Sequence, residues 1–258
     1  MESKIQIFEA KIEDGIFSIS KKFYPKGTLK KDRVEFFHQD RIRLGKKLGF
    51  DGNHIFRPYQ KGEYSPDVEY DDGTYIIIDK KNMRKKDYYR EVLPADILII
   101  SEQYKEIAIA NPSADCPILI CEDRKKGYTA LSHCGGKHIN RLLPRDTIKA
   151  MIKGCNSNVE DIYVYIGTCI HKESYIYDKY PKWATNKKIW KDTIEKKENN
   201  YYIDLIGTIQ KQLKEIGITH IETSSIDSAK EDTYYSHAAA SRNEKENKGQ
   251  NFIGFYYK

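Results

Sequence analysis

The sequence predicts an α/β fold, a single domain over residues 1–258 built as a mixed-sheet sandwich with flanking helices. Three observations lead to it. Apolar runs of strand length recur along the chain, at 74–79, 95–101, 106–112, 117–123, 128–133, 161–167, 219–224 and 251–257. Some are joined by turns short enough for hairpins, while others flank stretches with helical spacing, so antiparallel and parallel pairs are both required. No internal repeat or linker-like change of composition divides the 258 residues, a length that can bury a sizeable core.

Each element has its local reason. Residues 5–20 alternate apolar and polar on both sides of Glu13-Asp14-Gly15, a turn signal, and read as a hairpin. Val34, Phe37, Ile42, Leu44 and Leu48 recur at helical spacing after Asp32, so 32–48 is expected to be a helix that ends at Gly49. His54 to Gln60 reads as a short strand, followed by a Gly-, Pro- and Asp-rich loop over 61–73. The polar segment 80–93 reads as a loop or a surface helix. ADILIIS (95–101) and EIAIANP (106–112) are two strands with a tight connection. PILICED and YTALSH suit a hairpin across Asp123–Gly127.

Farther on, Ile139, Leu142, Leu143, Ile148, Met151 and Ile152 form an apolar stripe, and one helix over 139–153 is expected. DIYVYIG (161–167) is a buried strand. A helix is expected over 201–216, then a strand over 219–224. The polar segment 225–250 is a long connection, and such connections often carry function. NFIGFYY (251–257) is the last strand.

Composition narrows the function. Charged residues make up 32% of the chain, but the 44 basic side chains outnumber the 38 acidic ones only slightly. Basic runs such as Lys80-Lys81 and Lys187-Lys188 are short and mixed with acids, which reads as solvated surface rather than a nucleic-acid face. An anionic small substrate remains compatible. No apolar stretch is long enough to span a bilayer, and the charged N-terminus has no apolar core of a signal peptide. Five cysteines, an odd number without a CxxC pair, fit free thiols in a reducing cytoplasm.

The chemistry concentrates in 106–138. One apolar run ends in Asp115-Cys116 and the other in His133. A thiol and an imidazole at the mouths of neighbouring strands can act as nucleophile and base, or as two ligands of a soft metal. The bland alternative makes Cys116 a small packing residue at a strand end. Cys121, Cys134, Cys155 and Cys169 read as packing residues.

The same stretch carries a resemblance. ADILIISEQYKEIAIANPSADCPILI and YTALSHCGGKH resemble the signature segments of the laccase-domain (YfiH-type) family, also labelled polyphenol oxidase or multicopper oxidase-like. DRIRLGKKLGF, DIYVYIGTCIHKESYIYD, DTYYSH and KGQNFIGFYY are similar to further segments of that family, in order along the chain. The resemblance implies an α/β sandwich shared with the catalytic domain of cytotoxic necrotizing factor, and zinc held by a His-Cys-His set. It also implies one of several activities: purine nucleoside phosphorolysis, adenosine deamination, editing of peptidoglycan precursors, or phenol oxidation.

Carried over by position, Cys116 and His133 match the family's Cys and second His, while Gly62 stands at the first His. A third zinc ligand would then come from His54, Glu63, His138 or His171, of which His171 follows a strand end. Copper suits the chain less, since multicopper sites need many imidazoles and only seven His are present. Lys137 stands at a family Arg and Gly136 at a family Trp. Lys21 stands at another Arg, Ala238 and Ala239 at two more, and Ser225 or Ile226 where the family has a C-terminal Cys. Lys21, Arg41 and Lys137 are the candidates to hold phosphate, keeping charge but, for Lys, losing the bidentate fork. Ser236 and His237 are expected to line the substrate pocket, and Asp115 to orient His133 or a sugar. The expected function is processing of a purine nucleoside, with nucleoside and phosphate as small-molecule partners. A Cys-His amidase acting on cell-wall precursors, and a degenerate nucleoside-binding protein, are the alternatives.

Overall fold

The two ends of the chain pair with each other. Strand β1 (Ile5–Ala10) runs antiparallel to β14 (Asn251–Tyr257) along its whole length, from Ile5 opposite Tyr257 to Ala10 opposite Phe252. The structure is a computed structural model that describes residues 2–10, 41–49, 51, 54–58, 74–79, 92–93, 95–245 and 249–258. The expected Glu13–Gly15 turn, the first part of the 32–48 helix and most of 80–93 lie outside the described residues. Residues 41–48 are helical, as the spacing predicts, and are labelled α1.

β14 also pairs with β6 (Ala108–Ser113), which lies parallel to β2 (Ile55–Pro58), itself parallel to β4 (Val92–Leu93). These give a five-stranded sheet in the order β1-β14-β6-β2-β4. A second sheet has six strands in the order β13-β9-β7-β8-β5-β3. Its members are β3 (Tyr75–Ile77), β5 (Ile97–Ser101), β7 (Ile118–Asp123), β8 (Tyr128–His133), β9 (Ile162–Ile166) and β13 (His220–Thr223). The two strands at 95–101 and 106–112, joined by a tight connection, sit in different sheets. Run length and apolar content identify a strand but not its neighbour.

The six-stranded sheet is buried on both faces, which is why its strands read as near-continuous apolar runs. Leu98, Ile100, Ile118, Ile120 and Leu131 pack against Ile5, Phe56, Ile109, Ile253 and Phe255 of the other sheet. Ile97, Ile99, Leu119, Val164 and Ile166, on the opposite face, meet Leu143, Ile148, Met151, Leu205, Ile209 and Leu213 from helices. Each such side chain contributes about 1.5–3 kcal/mol when fully buried. The layers are thus two packed sheets with helices outside the six-stranded one and α1 outside the other, where Leu44 meets Ala10, Ala108, Ala110 and Phe252, a sandwich with flanking helices as the sequence predicts.

The helical layer departs from expectation in two places. Instead of one helix over 139–153 there are two, α2 (Gly136–Asn140) and α3 (Leu143–Cys155), broken at Leu142 with φ 69°. Pro144 lacks an amide hydrogen and its ring collides with a preceding helical turn, so a continuous helix cannot pass through it. The expected helix over 201–216 begins late. Tyr201 and Tyr202 belong to β12 (Asn200–Ile203), and α5 (Leu205–Lys214) starts after Asp204, whose carboxylate accepts from the Gly207 amide at 2.7 Å. β12 is the middle of a small third sheet, β10-β12-β11, with β10 (Ile176–Tyr177) and β11 (Ile194–Lys197), which the sequence reading does not contain. Two further short helices among the described residues are α4 (Lys187–Trp190) and α6 (His237–Ser241).

Candidate functional site

The β7–β8 hairpin sets the site. Its turn is tied by Asp123, whose Oδ1 accepts from the Lys125 and Lys126 amides at 3.0 and 2.9 Å, and Gly127 takes the left-handed φ of 69° that closes it. The register then puts Ile118 opposite His133. Cys116, two residues before Ile118, must lie beside the residues just after His133, and the Cys134 amide donates to the Pro117 carbonyl at 2.8 Å. Ser113 Oγ donates to the Cys116 carbonyl at 2.5 Å and tightens the turn out of β6.

Gly135 is where the reactive groups meet. A Cβ at that position would stand 3.0 Å from Cys116 Sγ and 3.5 Å from His138 Nδ1. The missing side chain lets the thiol and the imidazole crowd one point. The His133 ring lies 6.2 Å from the His138 ring, centroid to centroid, tilted by 36°. Cys116, His133 and His138 thus form one cluster. His138 appears in the sequence only as one of four spare ligands; its place beside the thiol follows from the helix that begins at Gly136.

His133 is held neutral. Burial, then the neighbouring His138, then the Arg57 guanidinium lower its pKa to about 3. Part of the residue reaches solvent, but Nδ1 is buried. A ring so weakly basic suits a hydrogen bond or a ligand bond better than proton uptake at neutral pH. Arg57 comes from β2 in the other sheet and is only 4% exposed. The sequence signal for it was a charged residue inside the apolar strand run His54–Pro58.

Among the five thiols, Cys116 is the one partly open to solvent. Burial pushes Cys134 up to about 12 and Cys155 up to about 11, and raises Cys121 and Cys169 as well. All five are free, as expected. Tyr175, raised by burial first and then by the neighbouring Cys116, brings a phenol close to the cluster; its hydroxyl lies 3.0 Å from that of Tyr177.

Asp115 is a fastening point for the 225–245 connection. Its Oδ1 accepts from Ser236 Oγ at 2.6 Å and Ser228 Oγ at 3.2 Å, and its Oδ2 from the Ala238 amide at 2.8 Å. Ser236 is fully buried and caps α6 by accepting from the Ala239 amide at 3.1 Å. His237, on the first turn of α6, is exposed. Both carboxylate oxygens of Asp115 are therefore engaged by the connection rather than by His133. A second carboxylate, Asp227, repeats the device, accepting from Ser174 Oγ at 2.5 Å and from the His171 and Ala229 amides at 3.3 and 3.0 Å.

The expected cation sites separate. Lys137 is exposed on α2. Arg41 is 1% exposed and donates from Nη1 to the Ile55 carbonyl at 3.2 Å, bracing α1 against β2. Lys21 lies outside the described residues. His54 is exposed at the start of β2, and Gly62 and Glu63 lie outside the described residues.

The described residues alone do not assemble a metal-ligand set. Zinc needs at least three side chains converging to about 2.0–2.3 Å of one point. Among the described residues no three His, Cys, Asp or Glu side chains are so placed, and Cys116, His133 and His171 do not form a ligand set. His171 Nε2 is buried without a hydrogen-bond partner among the described residues, but it is not joined by two further donors. Copper, with its greater need for imidazoles, fits these residues no better.

Several known proteins are similar to this chain. It is 30% identical over 138 residues to a purine nucleoside phosphorylase of Rickettsia prowazekii (strain Madrid E), a match covering 50% of this chain and 52% of that protein. It is 32% identical over 138 residues to a purine nucleoside phosphorylase of Rickettsia conorii (strain ATCC VR-613 / Malish 7), with the same coverage, 50% and 52%. The chain thus spans about half the length of these curated relatives. The fold resembles that of YlmD from Geobacillus stearothermophilus, with TM-score 0.71 and 18% identity over 90% of this chain and 82% of that one. It resembles the Bacillus licheniformis hypothetical protein YfiH at TM-score 0.68 and 18% identity, over 93% and 88%. Neisseria meningitidis protein NMB0706 gives TM-score 0.70 and 15% identity, over 100% and 96%. The model of the family described as multi-copper polyphenol oxidoreductase laccase matches residues 27–254, a span that contains the Cys116, His133 and His138 cluster. With nearly the whole sequence inside that match and the same fold in three solved structures, the chain belongs to the multi-copper polyphenol oxidoreductase laccase family.

Proposed function

We propose that the protein is an enzyme that processes purine nucleosides, by phosphorolysis or by deamination, at the cluster of Cys116, His133 and His138. The observation that carries this reading is the meeting of Cys116 Sγ and His138 Nδ1 at Gly135, at a thiol that solvent reaches. The name shared by the two rickettsial relatives supports the substrate class.

In this reading His138 exchanges a proton with the thiol or with the substrate, since it is the ring beside the sulfur. His133 stays neutral and fixes the geometry through its ring nitrogens. Arg57, buried next to His133, supplies positive charge for phosphate or another anion, and exposed Lys137 adds to it at the rim. Asp115 shapes the pocket by holding the 225–245 connection in place.

The test is to incubate the protein with adenosine and with inosine, with and without phosphate. Base released only with phosphate identifies phosphorolysis, and inosine formed from adenosine identifies deamination. No turnover of either nucleoside, or turnover unchanged in Cys116→Ala, rejects the reading.

The same grouping around Gly135 supports a second reading, a Cys-His amidase, because a thiol near an imidazole suits covalent acyl transfer. Alkylation of Cys116 then abolishes amide cleavage and chelators leave it intact. Activity that survives alkylation rejects this alternative.

A further inference from the structure

Gly136 has no side chain, and an aromatic ring from elsewhere fills the space. A Cβ at 136 would lie 2.7, 2.8 and 2.9 Å from Cη2, Cζ3 and Cζ2 of Trp183. The neighbouring residue, Gly135, is the one that meets Cys116 Sγ and His138 Nδ1. The benzo edge of the indole therefore lies one residue along the backbone from the reactive cluster.

The indole is held there firmly. Trp183 sits between β10 and α4, and Asn140 of α2 bolts that segment down. Asn140 Oδ1 accepts from the Asn186 amide at 2.9 Å and from Trp190 Nε1 at 3.0 Å, and its Nδ2 donates to Thr185 Oγ1 at 2.9 Å. Trp190 stands edge-on behind Trp183, with centroids 5.1 Å apart at 69°. Tyr177 also lies edge-on to Trp183, 6.4 Å away at 76°, and Tyr175 follows at 5.2 Å and 80° from Tyr177. At the far end of the row from Gly136, Tyr175 has Cys116 as an electrostatic neighbour.

Burial separates two roles in this row. Trp190 is 1% exposed and is a core residue. Trp183, Tyr177 and Tyr175 are only half-buried, packed against the core with part of each residue left accessible. Rigid aromatic surface next to a reactive pair is suited to stacking a planar heterocycle.

We propose that Trp183 is the base-positioning residue of this site: its ring stacks the heterocycle of a bound nucleoside, and Tyr177 and Tyr175 continue the wall toward Cys116. The proposal rests on the nucleoside reading above and adds to it the source of ring selectivity. A bicyclic purine covers more of the indole than a pyrimidine, so the wall favours purines.

The experiment is calorimetric binding of adenosine, inosine and uridine to the wild type, Trp183→Ala and Trp183→Phe, with melting temperatures as controls for folding. Wild type is expected to bind the purine nucleosides more tightly than uridine. Trp183→Ala is expected to weaken purine binding about tenfold or more and to shrink the purine-to-uridine ratio, while Trp183→Phe recovers part of both. A merely structural indole would weaken all three ligands alike, and that result overturns the proposal. Purine affinity unchanged in Trp183→Ala overturns the proposal and leaves the nucleoside reading standing. Failure of the wild type to bind any nucleoside overturns both. If Trp183→Ala does not fold, a purine-to-uridine ratio in Trp183→Phe equal to that of the wild type overturns the proposal.

Discussion

The rings of His133 and His138 stand 6.2 Å apart, and the second helps keep the first uncharged. Two imidazoles so close cannot both take a proton cheaply, and the Arg57 guanidinium adds a third positive group beside them. Burial does most of the work, and His133 ends with a pKa of about 3.

A stability slope follows from this. The unfolded chain protonates His133 near its ordinary value of 6.5, while the folded chain refuses that proton down to about pH 3. Within that window the unfolded state binds more protons, so stability falls as pH falls, by up to about 1.4 kcal/mol per pH unit. Above about pH 6.5 the group contributes no slope. Urea denaturation of the wild type and His133→Gln between pH 4 and 7 checks this. The difference between the two should grow steadily as the pH is lowered, and parallel curves would show that His133 is not held neutral. His138→Gln should raise the folded-state His133 pKa and end the slope at a higher pH, while its onset stays near 6.5.

Thiol chemistry offers a separate check. Cys116 is partly open, whereas the other four cysteines are buried and pushed away from the thiolate form. Iodoacetamide should label one thiol of the native protein quickly, and Cys116→Ser should remove that label. Mass spectrometry of the labelled peptide gives the answer. Labelling spread over several cysteines before unfolding would contradict the burial described above.

What the sequence revealed, and what it hid, follows from the range of the interactions. The β7–β8 hairpin was legible because its turn, Asp123 to Gly127, is local, and that hairpin alone brings Cys116 toward His133. The break at Leu142 was written in Pro144, but the apolar stripe from Ile139 to Ile152 masked it. Tyr201 and Tyr202 fit the helical pattern that continues after Asp204, and only their partners, Lys196 and Glu195 on β11 and Tyr177 and Ile176 on β10, make them a strand. Arg57 and Trp183 reach the site from other elements, and no spacing along the chain shows where they end up. The Asp115-Cys116 pair was visible, but its two residues part company: the thiol faces His138, and the carboxylate turns to Ser228, Ser236 and Ala238.

That division can be measured. Asp115→Ala removes three hydrogen bonds to a charged acceptor and leaves the Ser236 hydroxyl and the Ala238 amide without it. A loss of roughly 2–4 kcal/mol is expected, since bonds to charged groups contribute more than neutral ones. Hydrogen exchange should quicken at 228–240, while amides of β7 and β8 keep their protection. Asp115→Asn should cost less, because one amide oxygen can still accept from Ser236. Exchange that rises equally in the hairpin would mean that Asp115 supports the sheet rather than the connection.

Lys245 closes the same connection from its far end. Its ammonium donates to the carbonyls of Ser228, Glu231 and Tyr234 at 2.8, 2.5 and 2.8 Å, using all three of its protons on the backbone of one turn. Burial lowers its pKa, and the acids Asp232, Asp115, Glu231 and Asp227 work against that. A compact ammonium can sit at the centre of three carbonyls, whereas a planar guanidinium cannot aim its donors at all of them. Lys245→Ala should cost about 1–3 kcal/mol and speed exchange at the amides of 228–236. Lys245→Arg, although it keeps the charge, should recover less than half of that loss. Full recovery by arginine would show that charge near Asp115 and Asp227 matters here, and not the shape of the carbonyl nest. Thermal denaturation of the three proteins at one pH and ionic strength decides between the two.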